Sequence, residues 1–465
     1  MNKACYLAVD IGASSGRHIA AWLENGLIRT QEVYRFPNGA AKKKGHLCWD
    51  MEGLFRHVVA GLKACAEQGF QPVSVGIDTW AVDFVLLTGD DQPLGDMVAY
   101  RDSRTEGMDA LLEQTLPFAE LYRLTGIAKQ PFNTVYQMMA VLQEHPNWAD
   151  RAAGFLMVPE YLAWRLTGVK AHEYTNASST ALLDAAERKW SREVIRAAGL
   201  PEKWFDEEPL QPGAVLGPLL PEIAAETGLR GTRVILTATH DTGSAYLAVP
   251  ARDDQAVFLS SGTWSLLGTE LQTPVTTQKA LEAGFTNEGG AYGTIRFLKN
   301  IMGMWMLQCL HKEIGGAHSF AEMAEMAAAS AYPAWVDATD NRFLAPESMT
   351  EEVQKALLEQ GAPEPASFGD LCRAVTVGLA KCYDAAIREL GDITGRRFTS
   401  VNIVGGGSQN LTLNALTARE TGLDVIAGPT EGTALGNLAV QMILSGEVSD
   451  LQAFRDLLKP SFGIR

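Results

Sequence analysis

Short apolar runs broken by turn residues predict strands at the start of the chain. Residues 4–11 form one apolar run, and two further extended runs flank Asn25-Gly26, a residue pair that favours a two-residue hairpin turn. Residues 51–68 then place apolar side chains at helical spacing after Asp50, a residue type suited to a helix N-cap. The pattern therefore predicts a strand and a hairpin followed by a helix.

Similar patterns of strands and turns recur further along the chain. Residues 72–95 predict a buried strand, a turn and a second strand, and helical patterns dominate residues 105–200. A strand from about residue 233 leads through a turn into small residues that suit a helix start, and residues 256–270 predict a strand, a Ser-rich turn and a strand. An apolar strand and a helix flank the three glycines at 405–407. These turns could converge on one nucleotide.

Size and charge narrow the class of protein. A chain of 465 residues exceeds what one hydrophobic core normally organises, so we expect two large domains. The 55 acidic and 39 basic residues give a formal net charge of -16, which disfavours nucleic acid and anionic membranes as partners and favours a small ligand.

The cysteines and the amino terminus indicate the compartment. Six cysteines form no Cys-x-x-Cys pair, so we expect them to be reduced and mostly buried. The amino terminus lacks the layout of a signal peptide and enters a strand pattern directly, with no apolar run of about 18 residues after it. These features predict a cytoplasmic protein.

The first turn has two competing interpretations. Its sequence, Gly12-Ala13-Ser14-Ser15-Gly16, fits the G-x-S-x-G pattern of a hydrolase nucleophile. That serine requires a sharp turn from a strand into a helix, whereas an extended run follows here. A turn of small residues can instead direct backbone N–H groups at phosphate oxygens, which is the interpretation we favour.

The glycines near the carboxyl end raise a third possibility, a dinucleotide-binding fold. Gly405-x-Gly407 follows a predicted strand, and Asp424 lies where such a fold places its ribose-binding acid. Asn410 stands in the place of the third glycine of that motif, however. The sequence therefore disfavours a dinucleotide site.

Nine ordered blocks carry a resemblance to a known family. They are AVDIGASSGR, GIDTWAVDFVLL, AYRDSRT, EYTNASST, THDTGSA, LSSGTWSL, FTNEGG, LKNIMGMWMLQ and NIVGGGSQN. Together they resemble the FGGY carbohydrate kinases over nearly the whole chain. The resemblance implies a two-domain α/β fold of the actin/hexokinase/Hsp70 (ribonuclease H-like) ATPase type, with a mixed five-stranded sheet in each domain and a cleft between them. An N-terminal sugar-binding domain would span residues 1–248 and a C-terminal nucleotide-binding domain residues 249–465.

The resemblance also implies a reaction, in which the γ-phosphate of ATP passes to a sugar hydroxyl with Mg²⁺ as cofactor. The members that this chain resembles most phosphorylate L-rhamnulose at its 1-hydroxyl. Asp241 would take the proton of the hydroxyl and help to hold Mg²⁺, and Asp10 would bind Mg²⁺ through water. The implied nucleotide-binding residues are Ala13, Ser14, Ser15, Gly16, Arg17, His240, Thr242, Thr263, Gln308, Gly405, Gly406 and Gly407.

The sugar site implied by the resemblance comes mainly from the first domain. Its members would be Thr79, Trp80, Ala81, Asp83, Arg101 and Asp102, with Asn300 from the second domain. Trp80 offers an apolar plate for a deoxy-sugar, while charged and amide groups recognise hydroxyls. Related kinases commonly have Gly at the position of Ala81, so the added methyl group leaves the preferred ketose open.

Several alternatives remain open at this point. Asp241 could cap the following helix, Trp80 could be core packing, Arg101 and Asp102 could pair with each other, and Asn300 could cap a helix. The chain could also be another FGGY kinase, acting on L-fuculose, D-xylulose or glycerol. A non-enzymatic, actin-like protein that switches with its nucleotide is the alternative from a different class.

Overall fold

The computed structural model describes residues 3–344 and 346–464, and the chain forms two compact units. Unit 1 contains Met1–Ala248, Glu270–Phe297 and Thr433–Ser461, and unit 2 contains Val249–Thr269, Leu298–Gly432 and Phe462–Arg465. Two late segments therefore return to unit 1, so neither unit is continuous along the chain. The division into functional domains at residues 1–248 and 249–465 stays a prediction.

Strands and helices alternate along much of the chain. The strands are β1 (Lys3–Ile11), β2 (Ser15–Glu24), β3 (Leu27–Pro37), β4 (Ala41–Lys43), β5 (His46–Cys48), β6 (Phe70–Thr79), β7 (Phe84–Thr88), β8 (Ala152–Met157), β9 (Leu183–Asp184), β10 (Lys189–Trp190), β11 (Ala214–Pro218), β12 (Arg233–Leu236), β13 (Ala256–Ser261), β14 (Trp264–Leu271), β15 (Thr286–Gly289), β16 (Ile295–Met302), β17 (Ser400–Val404) and β18 (Asp424–Ala427). The α-helices are α1 (Met51–Glu67), α2 (Met108–Glu113), α3 (Phe118–Thr125), α4 (Thr134–Glu144), α5 (Trp148–Arg151), α6 (Val158–Thr167), α7 (Tyr174–Ala177), α8 (Arg192–Ala197), α9 (Pro221–Thr227), α10 (Asp241–Leu247), α11 (Gln278–Glu282), α12 (Trp305–Glu313), α13 (Phe320–Ala329), α14 (Met349–Glu359), α15 (Phe368–Thr394), α16 (Leu411–Thr421), α17 (Gly432–Leu444) and α18 (Leu451–Phe462).

Unit 1 is organised by a mixed six-stranded sheet in the order β11-β12-β6-β1-β2-β3. Strands β12, β6 and β1 are parallel, while β2, β3 and β11 run antiparallel to their neighbours. The resemblance implied five strands, and the sixth arises because β11 pairs along the outer edge of β12. The mixed α/β sheet itself is as predicted.

The two elements predicted first in the sequence form as expected. Glu24 pairs with Leu27 across a turn in which Asn25 and Gly26 have φ values of 54° and 73°, the left-handed backbone that this hairpin requires. Helix α1 begins after Asp50, whose side chain accepts a hydrogen bond from the Gly53 N–H at 2.9 Å.

The central strand β1 is covered on both of its faces, which explains its continuous apolar run. Leu7 and Val9 are fully buried in one cluster with Val58 and Leu62 of α1. Burying four such side chains stabilises the fold by about 1.5–3 kcal/mol each. The strand end that carries Asp10 is thereby held against a packed helix.

Unit 2 contains five neighbouring strands in the order β16-β14-β13-β17-β18. Strands β13, β17 and β18 are parallel, and β14 returns antiparallel beside β13. The long helix α15 starts at a capping box between Ser367 and Asp370 and ends at Gly395 in the left-handed conformation. The predicted strand-turn-strand at residues 256–270 is confirmed as β13 and β14.

In the described part of the chain no disulfide bond joins the six cysteines, and they are mostly buried as predicted, with only Cys309 half-buried. Within residues 3–344 and 346–464, no helix has both the length and the apolar character that crossing a membrane requires.

Candidate active site

Three carboxyl groups lie at the carboxyl ends of neighbouring parallel strands in unit 1. Asp10 on β1 pairs in register with Asp78 on β6. Asp241 follows β12 and starts α10, and the preceding residue, His240, bridges to Thr79 at the end of β6. The ends of adjacent parallel strands form the usual ligand site of an α/β sheet. The structure thus brings the predicted Asp10 and Asp241 to one edge.

Asp78 is a member of this group that the sequence analysis missed. It is fully buried, and its Oδ2 accepts a hydrogen bond of 2.6 Å from the Asn437 amide on α17. Burial and the nearby charges of Asp10 and Asp241 raise its pKa well above the usual range. The signal was present, because Asp78 ends an apolar strand just as Asp10 does.

Asp10 is paired with the arginine that was predicted to bind phosphate. The Arg17 guanidinium donates to Asp10 Oδ2 from Nε at 3.0 Å and from Nη2 at 2.8 Å. The two residues face each other across the β1–β2 hairpin. In this structure the positive charge of Arg17 therefore balances the carboxylate that was predicted to bind Mg²⁺.

The tip of the β1–β2 hairpin is the predicted phosphate turn. Ala13 and Ser14 are exposed at the tip, and Asn38 braces it by donating from its backbone N–H to the Ser14 carbonyl at 3.0 Å. A Cβ atom at Gly16 would overlap the ring of Phe36, so that position admits no side chain. Because a strand follows the turn, the hydrolase interpretation is wrong.

Asp241 occupies the first position of α10. Its Oδ1 accepts hydrogen bonds from the Thr242 N–H at 2.6 Å and the Thr242 hydroxyl at 3.2 Å. Burial, and secondarily the charge of Asp10, raises the pKa of Asp241 to about 7. The N-cap position itself belongs to His240, so capping does not account for Asp241. A carboxyl group with such a pKa is suited to proton transfer near neutral pH.

The predicted sugar-site residues Trp80 and Asp83 are joined in a buried hydrogen-bonded group. Asp83 Oδ2 accepts from the indole N–H groups of Trp49 at 2.7 Å and Trp80 at 2.9 Å and from the Tyr100 backbone N–H at 3.1 Å, while Oδ1 accepts from the Gln137 amide at 3.1 Å. The two indole rings lie 4.2 Å apart. Asp83 therefore holds Trp80 in place.

Stability should respond to the protonation of Asp83. Burial raises the pKa of this side chain to about 6 from an ordinary value of 3.8, so the folded protein binds the proton more tightly than the unfolded chain does. The stabilisation is present at low pH and is lost as pH rises between about 4 and 6, by about 3 kcal/mol. Between pH 4 and pH 7 the free energy of unfolding, measured in urea, should fall by about 3 kcal/mol more in the parent protein than in Asp83→Asn. Equal pH dependence in both proteins would contradict the assignment.

Arg101 and Asp102 do not pair with each other. Arg101 is exposed and donates from Nε to the Tyr100 hydroxyl at 3.0 Å. Asp102 accepts from the Leu47 N–H at 2.7 Å and lies 3.0 Å from His46 Nδ1. Asp102 thereby ties the strand β5 to the segment that carries Arg101.

Thr79 and Ala81 lie on either side of Trp80, where β6 ends. The fully buried Thr79 donates its hydroxyl to the Trp80 carbonyl at 2.7 Å, and Ala81 is partly exposed. Asn300 lies within strand β16 and α12 begins only at Trp305, so Asn300 is not a helix cap. Its Oδ1 is buried without a hydrogen-bond partner among the described residues.

In unit 2, the β13–β14 turn contacts the glycine turn after β17. Gly405 has φ 87° and ψ -177°, a backbone conformation that essentially only glycine adopts. A Cβ atom there would lie 2.8 Å from the Ser261 carbonyl oxygen, and one at Gly407 would overlap the Ser261 hydroxyl. Gly406 is exposed with open space around it. The glycine turn predicted after an apolar strand is therefore confirmed, and Gly405 lies where two backbones approach closely.

Thr263 and Gln308 belong to the same end of unit 2. The Thr263 carbonyl accepts from the Trp305 N–H at 3.1 Å, at the start of α12. Gln308 lies one turn further along α12 and is partly exposed. The structure thus groups all the nucleotide-binding residues predicted in unit 2. Asn410, in the place of the third glycine, caps α16 by accepting from the Leu413 N–H at 3.0 Å.

The carboxyl groups of unit 1 fit the Mg²⁺ that the resemblance implies. The charge of Asp10 raises the pKa of Asp241, so the two carboxylates repel each other and a cation would relieve that repulsion. Mg²⁺ is commonly bound by one or two carboxylates together with water and substrate phosphates. Over the described part of the chain, no group of three or more His, Cys, Asp or Glu side chains could hold a metal ion.

The chain is similar to curated proteins over nearly its whole length. Relevant curated relatives include a rhamnulokinase of Halalkalibacterium halodurans, 46% identical over 460 residues with 99% of this chain and 97% of that protein covered. A rhamnulokinase of Bacillus subtilis is 41% identical over 462 residues, covering 99% of this chain and 94% of that protein.

Solved structures share the fold at low sequence identity. A ligand-bound xylulose kinase from Lactobacillus acidophilus has a TM-score of 0.80 at 16% identity, covering 98% of this chain and 92% of that one. A Plasmodium falciparum glycerol kinase with ADP has a TM-score of 0.79 at 13% identity, covering 99% and 94%. The fold is accordingly the two-domain actin/hexokinase-type α/β fold.

Family profiles match both halves of the chain. Residues 5–248 match the N-terminal domain of the FGGY family of carbohydrate kinases, and residues 257–445 match its C-terminal domain. The chain belongs to the FGGY family of carbohydrate kinases.

Proposed function

We propose that this ATP-dependent sugar kinase phosphorylates L-rhamnulose at its 1-hydroxyl, giving L-rhamnulose 1-phosphate and ADP in L-rhamnose breakdown. Full-length similarity to proteins named rhamnulokinase supports the substrate. The observation that carries the chemistry is Asp241, a partly exposed carboxyl group with a raised pKa at the edge where Asp10 also lies. We retain the cytoplasm as the proposed location.

In the proposed reaction, Asp241 accepts the proton of the sugar hydroxyl as that oxygen attacks the γ-phosphate. All the hydrogen bonds that the described residues donate to this carboxylate go to Oδ1, which leaves Oδ2 to meet the hydroxyl. Phosphoryl transfer otherwise depends on positioning and charge neutralisation. A well-placed base contributes about 10²- to 10⁴-fold to the rate.

The nucleotide is assigned to the two glycine- and serine-rich turns. Backbone N–H groups at Ala13 and Ser14 would bind phosphate oxygens, and His240 and Thr242 were predicted to contribute beside Asp241. Gly405, Gly406 and Gly407 would bind the adenosine part together with Gln308, with Thr263 on the phosphates. Bound Mg²⁺ would neutralise phosphate charge, and Asp10 and Asp241 are the residues that would hold it, Asp10 through water.

The sugar is assigned to the end of β6 and its neighbours. Thr79, Trp80 and Ala81 would form the contact surface, and Asn300 offers a buried acceptor, Oδ1, without a described partner. Asp83 already accepts four hydrogen bonds from protein groups. We therefore propose that Asp83 acts by fixing Trp80, while Arg101 and Asp102 remain proposed sugar-site residues.

The substrate is tested by measuring ADP release with L-rhamnulose, L-fuculose, D-xylulose, L-ribulose and glycerol. We expect the highest kcat/KM with L-rhamnulose. A higher value with another sugar would overturn the substrate, and ADP release that no sugar stimulates would favour a nucleotide-switch protein.

Ala81→Gly should change sugar discrimination if the methyl group lines the pocket. One methyl group changes discrimination by about tenfold or more, so the ratio of kcat/KM for L-rhamnulose and the next-best sugar should shift by that factor. Ala186→Gly, at an exposed turn of the same unit, is the matched control and should leave the ratio unchanged. An unchanged ratio in Ala81→Gly would remove this residue from the pocket.

A further inference from the structure

The turn before α10 is held by a buried carboxylate. Glu173 Oε2 accepts from the Thr239 N–H at 3.0 Å and from the Thr239 hydroxyl at 2.6 Å. The His240 N–H in turn donates to the Thr175 hydroxyl at 3.2 Å. The backbone of His240 is therefore fixed, and the remaining freedom lies in its ring.

A buried ion pair contacts one side of that ring. Arg296 is completely buried and donates from Nε to the Gly289 carbonyl at 2.8 Å, while its Nη1 lies 3.0 Å from Glu288 Oε2. Its Nη2 lies 3.0 Å from His240 Nδ1. On the other side of the ring, His240 Nε2 lies 3.4 Å from Asp241 Oδ1.

The chemistry of arginine determines which ring nitrogen carries the hydrogen. A guanidinium group has only donors, so a nitrogen 3.0 Å from Nη2 must accept and cannot carry a hydrogen. A neutral imidazole that accepts at Nδ1 carries its hydrogen at Nε2.

We propose that Arg296 is a positioning residue that keeps His240 in the Nε2–H form, so that the ring presents a donor toward Asp241 and cannot take the proton of the sugar hydroxyl. Asp241 is then the proton acceptor of the His240-Asp241 pair. The consequence for the reaction rests on the proposed function, whereas the form of the ring does not depend on the substrate.

Glu288 makes the proposal testable by substitution. Its Oε2 lies 3.4 Å from His240 Nδ1, and a carboxylate only accepts hydrogen bonds. In Arg296→Met each ring nitrogen faces only a carboxylate oxygen, at 3.4 Å in both cases, so Nδ1 should gain a hydrogen while Nε2 keeps its own. In Arg296→Met with Glu288→Gln, the glutamine amide can donate to Nδ1 and should restore the original form.

The experiment uses the full chain labelled with ¹⁵N-histidine, with the His240 signals among the eight histidines assigned from His240→Gln. In the parent protein Nε2 should be the protonated ring nitrogen. Arg296→Met should move the Nδ1 signal to that of a protonated ring nitrogen and lower kcat by about 10- to 100-fold, the range for loss of the outer partner that orients a metal-site histidine. The double variant and Arg296→Lys should recover the parent signals and part of kcat.

A matched control separates this role from general destabilisation. Arg455 is also buried and also pairs with a carboxylate, Glu270, at 2.9 Å. Arg455→Met should leave the His240 signals unchanged. A proton on Nδ1 in the parent protein would overturn the proposal even if no variant folds. Equal ¹⁵N signals of His240 in the parent, Arg296→Met and the double variant would also overturn the proposal. The ¹⁵N result stands whichever sugar is phosphorylated, so failure of the substrate proposal is recognised separately in the ADP-release assay.

Discussion

Asp241→Asn is expected to lower kcat by about 10²- to 10⁴-fold, the contribution of a positioned general base. Asparagine has nearly the same shape, and its carbonyl oxygen can still accept the Thr242 N–H that now binds Oδ1. It cannot accept a proton at neutral pH. Steady-state ADP release with saturating sugar and ATP measures the loss, and calorimetric titration with ADP should show that nucleotide binding is retained.

The dependence of the rate on pH provides a second test of Asp241 as the base. As the proposed base, Asp241 would act only in its deprotonated form, and its pKa is raised to about 7. The rate of the parent enzyme should therefore fall as pH decreases through this range, and bound Mg²⁺ would move the fall to lower pH by favouring the carboxylate. The residual rate of Asp241→Asn should lack this fall.

Asp206→Asn is the matched control, since Asp206 is an exposed aspartate of the same unit. It should retain the kcat of the parent protein. If Asp241→Asn keeps more than about a tenth of the parent kcat, the loss is smaller than removal of a general base causes. Another group would then accept the proton.

Gly405→Ala is expected to raise the KM for ATP by about 10- to 100-fold while leaving the KM for the sugar nearly unchanged. The backbone at Gly405 has φ 87° and ψ -177°, and an added Cβ atom would lie 2.8 Å from the Ser261 carbonyl oxygen. Strain of this kind costs about 1–3 kcal/mol. The turn must shift to relieve it, and the proposed adenosine contacts are made by this turn.

The neighbouring Gly406→Ala provides the control for Gly405→Ala. Gly406 has open space around the position of a Cβ atom, and its φ lies outside the left-handed region. Initial rates at varied ATP and varied sugar should separate the two KM values. Equal effects of the two substitutions, or an effect on the sugar KM alone, would contradict the assignment of Gly405 to the nucleotide.

Features encoded in short stretches of sequence could be predicted. Asn25-Gly26 specified the β2–β3 hairpin because few other residue pairs tolerate its backbone. The position of Asp241 between a strand and a helix could also be predicted from the neighbouring residues alone. The glycines at the β17 turn were recognisable because a close backbone approach excludes a side chain.

Partners that are distant in sequence could not be predicted in this way. Asn437 lies 359 positions from the Asp78 that it contacts, and Arg296 lies 56 positions from His240. No periodicity relates such pairs, because they are brought together by the packing of whole elements. Asp10 and Asp241 could likewise be recognised only singly, because their position on one edge with Asp78 depends on the pairing of distant strands.

The return of residues 433–461 to unit 1 determines when that unit can be completed during synthesis. Domains usually fold in order as the chain leaves the ribosome, the amino-terminal one first. Here the amide of Asn437 becomes available to Asp78 only after nearly all of unit 2 has been translated. The nascent chain therefore carries the carboxyl cluster without this hydrogen bond until its last helices emerge from the ribosome.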